Sequence, residues 1–496
     1  MKIVSVAEMR ALEAAAFASG VTEAELQQRA GRAVAEEVFS LLHPGARVLV
    51  LSGHGNNGRD GMVAAGWLLE RGCQVDLALG PRHAISDAEL QRVRELGGRV
   101  LQADEALPLE EARLVVDGLL GIGSHGALRE PLAGLVRRLN ESSRRRPDLR
   151  VLAIDVPSGM DADTGEVPGE VVWANVTVTL GAVKQGLLRF PAAERVGELV
   201  CRDIGLSADA LPYDVLLEDE LAECVPRRPL DAHKYRFGRV LVVAGSEHFL
   251  GAPVLSVGGA LRAGAGLVTL ASTAAARQTV AAHLPEATYT QGDPRHVQDL
   301  LLESQAAIVV GPGLGREPST VRFVHDLLRA CGDKPLVVDA DALYALGELD
   351  HWSDLVGPNT VLTPHSGELS RLGGDPRDGE LPWAQARRLA QAWGCCLVAK
   401  GPFTCVADTQ GRVAVWPRAN AALATGGTGD VLAGLCGGLL AQGAPPWDAA
   451  RVAVAAHALA AASIIEQRQW RTLLASDLLD EIPAVLADLT SLTQRR

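Results

Sequence analysis

The chain has 496 residues, and its 47 Lys and Arg against 60 Asp and Glu give a formal net charge of −13. That length is too great for one ordinary domain, so two or three are expected, each large enough for its own core. Apolar residues at 48% and charged residues at 22% are in the globular range, and an acidic balance without a basic block argues against a nucleic-acid partner.

The opening stretch MKIVSVAEMRALEAAAFASG reads as an amphipathic helix interrupted by Glu8, Arg10 and Glu13. It lacks the unbroken apolar run of a signal peptide. No stretch reaches the roughly 18 apolar residues of a membrane span, so a cytoplasmic protein without a membrane partner is expected. RVLVLSG (47–53), CQVDLALG (73–80), ARLVVDGLLG (112–121), RVLAIDVPSG (150–159) and NVTVTLGA (175–182) then read as strands, with helical patterns at 61–71 and 87–96 between them. Such runs, apolar on both faces and alternating with helices, predict an α/β domain whose parallel sheet is covered on both sides.

An acidic, then Pro/Arg-rich segment follows, and the domain boundary is placed near 215–225. A second strand series begins after it: GRVLVVAG (238–245), GLVTLAS (266–272), AAIVVGPG (306–313), KPLVVDA (334–340), NTVLTPH (359–365) and CCLVAKG (395–401). The eight cysteines form no CxxC and no His-paired cluster, so buried free thiols in a reducing compartment are expected.

Chemistry gathers at the strand ends. Gly53, Gly55 and Gly58 match GxGxxG, which a tight strand-to-helix turn explains as well as a dinucleotide site does; Asp76 falls within the next strand rather than at its end. Asp117 and Asp155 each end a strand before a Gly-containing loop, and Ser158 follows. Asn57, Asp117 and Ser158 could offer oxygens to a hard cation, and Asp155 could carry a proton, although capping a helix start is the plainer role for such carboxylates. GHGNNGRDG, DGLLGIG and AIDVPSGMDADTG together resemble the YjeF N-terminal family of NAD(P)H-hydrate epimerases, over residues 1–215. The resemblance implies a Rossmann-like three-layer domain. Asn56, Asn57, Gly58, Arg59 and Asp60 would contact the hydrate, as would Gly121, Ile122, Gly123, Ser124, His125, Gly126 and Ala127. Asp155 would sit at the reacting ring, and Asn57, Asp117 and Ser158 around a potassium ion. Arg59 departs from the family's usual Gly.

In the second half, Gly426 to Gly429 can turn several N–H groups into one small space before a helix, an anion nest, and Asp430 follows. No GK[ST] follows the glycines, which excludes a Walker P-loop. A carboxylate beside such a nest suits a base that takes the proton of an acceptor hydroxyl while the N–H groups hold the transferring phosphoryl group. A first-turn helix-stabilising acid is the simpler alternative. From spacing alone this half is a small-molecule kinase. The same stretch, with GPGLG, TPHSGE and KGPFT, resembles the YjeF C-terminal family of ADP- or ATP-dependent NAD(P)H-hydrate dehydratases, over residues 225–490. That resemblance implies a ribokinase-like three-layer domain in which Ala252, Gly315, His365 and Asp430 contact the hydrate. Lys400, Gly401, Pro402, Phe403, Thr404 and Gly429 would hold ADP or ATP, with magnesium as counter-ion. Ser366 departs from the usual Pro.

The two resemblances imply one repair enzyme for hydrated NADH and NADPH, expected as a homo-oligomer. The first half would interconvert the R and S epimers. The second would dehydrate the S epimer through a phosphorylated intermediate, releasing AMP (or ADP) and phosphate. A ribokinase-like small-molecule kinase with a regulatory Rossmann-like domain is the rival, and an RNA-assembly scaffold a weaker one.

Overall fold

The computed structural model describes residues 1–43, 45–80, 88–103, 107–292, 297 and 306–491. The chain forms two compact units, Met1–Leu211 and Pro212–Arg496. Tyr213–Val215, placed with the first half by the sequence reading, pairs with Val413–Val415 and so belongs to the second unit.

The first unit has a seven-stranded sheet in which every neighbouring pair is parallel. Its spatial order is Arg99–Gln102, Gln74–Leu79, Arg47–Ser52, Leu114–Gly118, Arg150–Ile154, Val176–Leu180 and Glu198–Arg202. The chain winds outward in one direction from Arg47–Ser52 and then returns to wind in the other, which is the doubly wound Rossmann order. Val48, Leu49, Val50 and Leu51 are all fully buried, as a central strand covered on both faces requires. The reversal puts a crevice beyond the carboxyl ends of Arg47–Ser52 and Leu114–Gly118.

The second unit has a ten-stranded sheet with a similar reversal, between Arg239–Val243 and Ala306–Val310. From there Leu267–Ser272 and Thr288–Gln291 lie to one side, and Leu336–Val338, Thr360–Leu362 and Cys396–Ala399 to the other, all parallel. Cys405–Ala407 and Val413–Val415 then add an antiparallel meander.

Helix Thr428–Ala441 lies on the sheet and against helix Gly251–Arg262. The two backbones are close because glycines face each other. A Cβ on Gly434 would lie 2.1 Å from the Ser256 carbonyl oxygen, and one on Gly259 would lie 2.5 Å from that of Val431. Gly434→Ala is therefore expected to lower the unfolding transition of the second unit by about 1–3 kcal/mol, the usual cost of overpacking. Gly357→Ala, where a Cβ meets nothing within 4 Å, is the control. Equal denaturation midpoints for the two variants would refute this account of the helix contact.

One expectation changes here. Helix Pro446–Arg468, 23 residues, is long and apolar enough to cross a membrane by length and composition. Its Ala and Val side chains instead pack against Thr428–Ala441 and helix Ala475–Ser491, and 67% of its most apolar window is buried in the core of the unit. The eight cysteines are all free, six of them buried.

Candidate functional site

The crevice of the first unit is a cavity of about 630 Å³. The GNNGRDG stretch reaches it as helix rather than as loop: the helix Asn56–Glu70 begins five residues before the predicted pattern, with Gly55 as its N-cap. The glycines explain the tight entry. A Cβ on Gly58 would lie 1.9 Å from the Gly53 carbonyl oxygen, and one on Gly53 would lie 1.8 Å from that of Leu119. Asn56, Asn57 and Asp60 line the cavity from this first turn, and Gly121, Ile122, Gly123, Ser124 and Asp155 line it from the neighbouring strand ends. Gly58 is buried beneath it, and exposed Arg59 lies 3.4 Å from Glu23 of the cavity wall, so the arginine does not crowd the turn. His125, Gly126 and Ala127 lie on the exposed surface beyond, with His125 Nδ1 2.9 Å from Asp161 Oδ2.

Asp155 has a φ of +64°, a conformation Asp adopts more readily than most residues because its short side chain bonds locally. The turn brings its carboxylate under three donors, all on Oδ1: the ammonium of fully buried Lys184, the Leu180 N–H at 3.1 Å and the Thr179 hydroxyl at 3.3 Å. Among the described residues, none donates to Oδ2. Asp60, on the same cavity, has no hydrogen-bond partner among them. Burial raises its pKa well above the usual carboxylate range, and the nearby charges of Asp155 and Glu13 raise it further. Glu13 is raised too, first by burial and then by Asp155. The site thus sets a lysine-bound carboxylate beside a second carboxyl group whose burial favours its acid form, an arrangement suited to acid–base chemistry.

Asn57, Asp117 and Ser158 converge behind this site. Ser158 donates through its backbone N–H to Asp117 Oδ2 at 2.9 Å and through its hydroxyl to Oδ1 at 2.7 Å. The Asn57 amide donates to the carbonyls of Leu120 and Ile154 at 2.9 and 3.1 Å. Asp117 is fully buried and has no cationic side chain against it among the described residues; burial raises it to about 6 despite its hydrogen bonds. An all-oxygen donor set with one buried negative charge fits a monovalent hard cation.

In the second unit Asp430 is the third residue of helix Thr428–Ala441, and Gly427, at φ +93°, is the N-cap. The first-turn N–H groups have no acceptor within the helix, which leaves a donor-rich opening in front of Gly429 and Asp430. Thr428 does not close it, because its hydroxyl donates to the carbonyls of Leu423 and Thr425. From behind, buried His457 Nε2 donates to Thr428 O at 2.9 Å, and burial lowers that imidazole to about 4, so it stays neutral. The Asp430 carboxylate is half-buried, with no hydrogen bond or ion pair among the described residues. Burial, then the charges of Asp339 and Asp341 set against Lys400, raise it to about 7.

Lys400 Nζ is 2.9 Å from Asp339 Oδ1 and would lie 3.3 Å from a Cβ on Gly429, so residue 429 has room for nothing larger than glycine unless the lysine moves. Burial acts against the Lys400 charge, but Asp339, Glu368 and Asp430 outweigh it and hold the ammonium above its ordinary value. Gly401, Pro402, Phe403 and Thr404 form a loop into strand Cys405–Ala407, exposed at Gly401 and Pro402 and closed by the Thr404 hydroxyl on Gly401 O at 3.1 Å. His365 caps the short helix Ser366–Arg371. Its Nδ1 accepts from the N–H groups of Gly367 and Glu368, while Glu368 accepts from the His365 N–H at 2.8 Å. That reciprocal box holds the turn despite Ser366. Gly315 joins the cluster through its N–H, which donates to Asp341 at 2.9 Å, and Ala252 packs near the same loop, 2.9 Å from a Cβ on Gly313.

Sequence reasoning did not select Asp60's neighbour Glu13, or Lys184, Asp339 and Asp341 as site residues. The signal for Lys184 was a lysine close behind an apolar strand, and for the two aspartates their place at a strand end.

Residues 23–186 match the model of YjeF-related protein N-termini, and residues 240–484 that of NAD(P)H-hydrate dehydratase. A bifunctional NAD(P)H-hydrate repair enzyme of Salinibacter ruber is 38% identical over 95% of this chain and 93% of its own. The chain belongs to the bifunctional NAD(P)H-hydrate repair enzymes. Another member of these repair enzymes, from Gloeobacter violaceus, is 39% identical over 92% of each chain. The second unit is also similar to the crystal structure of an ADP/ATP-dependent NAD(P)H-hydrate dehydratase from Bacillus subtilis, co-crystallised with ATP/Mg2+. The two share 32% identity over 57% of this chain and all of that one, at a TM-score of 0.50.

Proposed function

We propose a division of labour in which each strand-end site performs one half of the repair. The chain is a bifunctional NAD(P)H-hydrate repair enzyme, an epimerase in its first unit and a nucleotide-dependent dehydratase in its second. The epimerase is assigned to Met1–Leu211 and the dehydratase to the unit that begins at Pro212, and the reaction is placed in the cytoplasm, which suits eight free thiols.

In the first site, a proton from Asp60, whose burial favours the acid form, lets the ring hydroxyl of the hydrate leave as water, with the ring nitrogen supplying the electrons. Water returning to the opposite face loses its proton to Asp155 Oδ2, the other epimer results, and transfer of that proton back to Asp60 through water in the cavity restores both carboxyl groups. Lys184 and Leu180 fix Asp155 for this step. Asn57, Asp117 and Ser158 would hold a potassium ion, which would neutralise the buried Asp117 charge and stiffen the three strand ends.

In the second site, Asp430 takes the proton of the S epimer's hydroxyl as its oxygen bonds to the terminal phosphorus of ADP or ATP. The N–H groups at Gly429 and the Lys400–Asp339 pair face the transferring group. Phosphate then leaves with its bonding electrons, the ring nitrogen supplies electron density, and loss of a proton from the adjacent carbon restores the ring double bond. AMP (or ADP) and phosphate are released. Among the described residues no group of three His, Cys, Asp or Glu side chains forms a metal cage. Asp339 and Asp341 would offer carboxylates to magnesium carried by the nucleotide.

The observation that carries this reading is Asp430, a carboxylate at the open start of a helix with no bonded partner among the described residues. Incubation of mixed-epimer hydrate with ADP, ATP or neither tests it. Return of NADH absorbance with free phosphate is expected only with nucleotide, and recovery of both epimers is expected to be faster in potassium than in tetramethylammonium buffer. A stable phosphorylated alcohol would turn the second unit into a kinase. Because Asp430 must be ionised to act, kcat/KM for dehydration is expected to rise about tenfold per pH unit below pH 7 and flatten above it. A flat profile between pH 5.5 and 7 would remove Asp430 as the base.

A further inference from the structure

Helix Val6–Ala18 is anchored beside the residue that holds Asp155. The short strand before it, Ile3–Val4, pairs in parallel with Val183–Lys184, and Val4 stands opposite Lys184. The Val6 N–H donates to Asp163 at 2.8 Å, and a capping box between Ser5 and Glu8 closes the first turn. Leu12 and Ala16 pack on the core of the unit. Met9, Glu13 and Phe17, each four residues from the last, line the cavity of the first site together with Arg10.

Glu13 is the carboxylate of that stripe, set between the thioether of Met9 and the ring of Phe17. It is half-buried and makes no hydrogen bond or ion pair among the described residues. Charged and titratable groups face it from each neighbouring element. Arg10 comes from its own helix, Glu23 from the next helix, His54 and Asp60 from the turn and helix after Arg47–Ser52, and Asp155 with Lys184 from the far side. His54 and Glu23 are exposed, so they answer to bulk water. Burial and then the Asp155 charge raise the pKa of Glu13, against the pull of Lys184 and Arg10, and the Glu13 charge in turn raises Asp60. Glu13 thus stands within electrostatic reach of both reacting carboxyl groups.

The epimerase reaction displaces a proton. Each passage from one epimer to the other takes a proton from Asp60 and leaves one on Asp155. The site is then set for the reverse reaction, with Asp155 the acid and Asp60 the base. The forward reaction repeats only after that proton has moved. We propose that Glu13 is the relay for this reset: its carboxylate takes the proton from Asp155 through cavity water and passes it to Asp60. One O–H bond breaks on Asp155, one forms on Asp60, and Glu13 ends each cycle as it began. A third carboxyl group suits the task because it accepts and donates in turn. The relay rests on the epimerase reading above and extends it by one residue.

The test compares the unaltered full chain with Glu13→Gln and Glu13→Asp. Net conversion of a pure R epimer, with substrate in excess, needs a reset at every turnover, and it is expected to slow about tenfold or more in Glu13→Gln. Exchange at equilibrium needs none, because each passage is followed by its reverse. Isotope from a labelled R epimer should therefore enter the S pool at the unaltered rate. Imidazole, a small diffusible proton carrier, should restore net conversion in Glu13→Gln, and Glu13→Asp should keep part of the rate without it. A merely structural role for Glu13 would slow conversion and exchange alike and would not respond to imidazole. That pattern, or unchanged net conversion in Glu13→Gln, would overturn the relay. Should Glu13→Gln not fold, Glu13→Asp decides by the same comparison: slowed conversion with normal exchange and imidazole rescue supports the relay, and any other pattern overturns it. Failure of the unaltered chain to interconvert the epimers would instead refute the epimerase reading.

Discussion

Asp430→Asn is expected to lose nucleotide-dependent dehydration by about 10²–10⁴-fold in kcat, the range for removing a general base, and to leave epimerisation unchanged. The amide keeps the shape of the carboxylate but cannot take a proton. The same variant should be no less stable than the parent. Asp430 has no bonded partner among the described residues to lose, and burial together with Asp339 and Asp341 already disfavours its charge. Retained stability with lost activity separates a base from a first-turn acid that merely supports the helix, because removing the latter would cost about 0.3–1 kcal/mol and no turnover. Parallel assays of epimer interconversion and NADH return on one preparation check it. If both activities fell together, the two sites would not be independent.

The central strands were legible because a parallel strand buried on both faces is an uninterrupted Val/Leu/Ile run, as in Val48–Leu51. The sheet edges were not. Arg99–Gln102 and Glu198–Arg202 are only partly buried and mix charge with apolar residues, so they lack either signature. Helix starts were read late for a related reason. Asn56–Asp60 and Thr428–Asp430 are Gly-rich and polar, which reads as loop, yet these glycines are small because backbone or Lys400 lies against them. The polar strand ends were visible as chemistry-bearing positions, but their pairings were not. Nothing local in the sequence ties Lys184 to Asp155, or Lys400 to Asp339, 61 residues away. Those contacts exist only once the fold brings these distant stretches together beyond the strand ends.

Asp155→Asn is expected to remove epimerisation by about 10²–10⁴-fold and leave dehydration of the S epimer intact. It should also destabilise the first unit by about 3–5 kcal/mol, because the Lys184 ammonium would stay buried without its carboxylate. Asparagine is the informative replacement: it tolerates the positive φ at this position, whereas alanine would add backbone strain to the loss of charge. Lys184→Met on its own strands the opposite charge. Combining the two removes both ions, so the double variant should regain most of the stability lost by either single one, a coupling that a double-mutant cycle measures directly. Its epimerase activity should remain absent, since Asp155 Oδ2 no longer offers a base to returning water. Denaturant unfolding of the four proteins, read beside epimer exchange, therefore distinguishes two roles for one residue. A double variant that is stable and still interconverts the epimers would leave Asp155 as a structural partner of Lys184 and move the base to another group on the cavity wall.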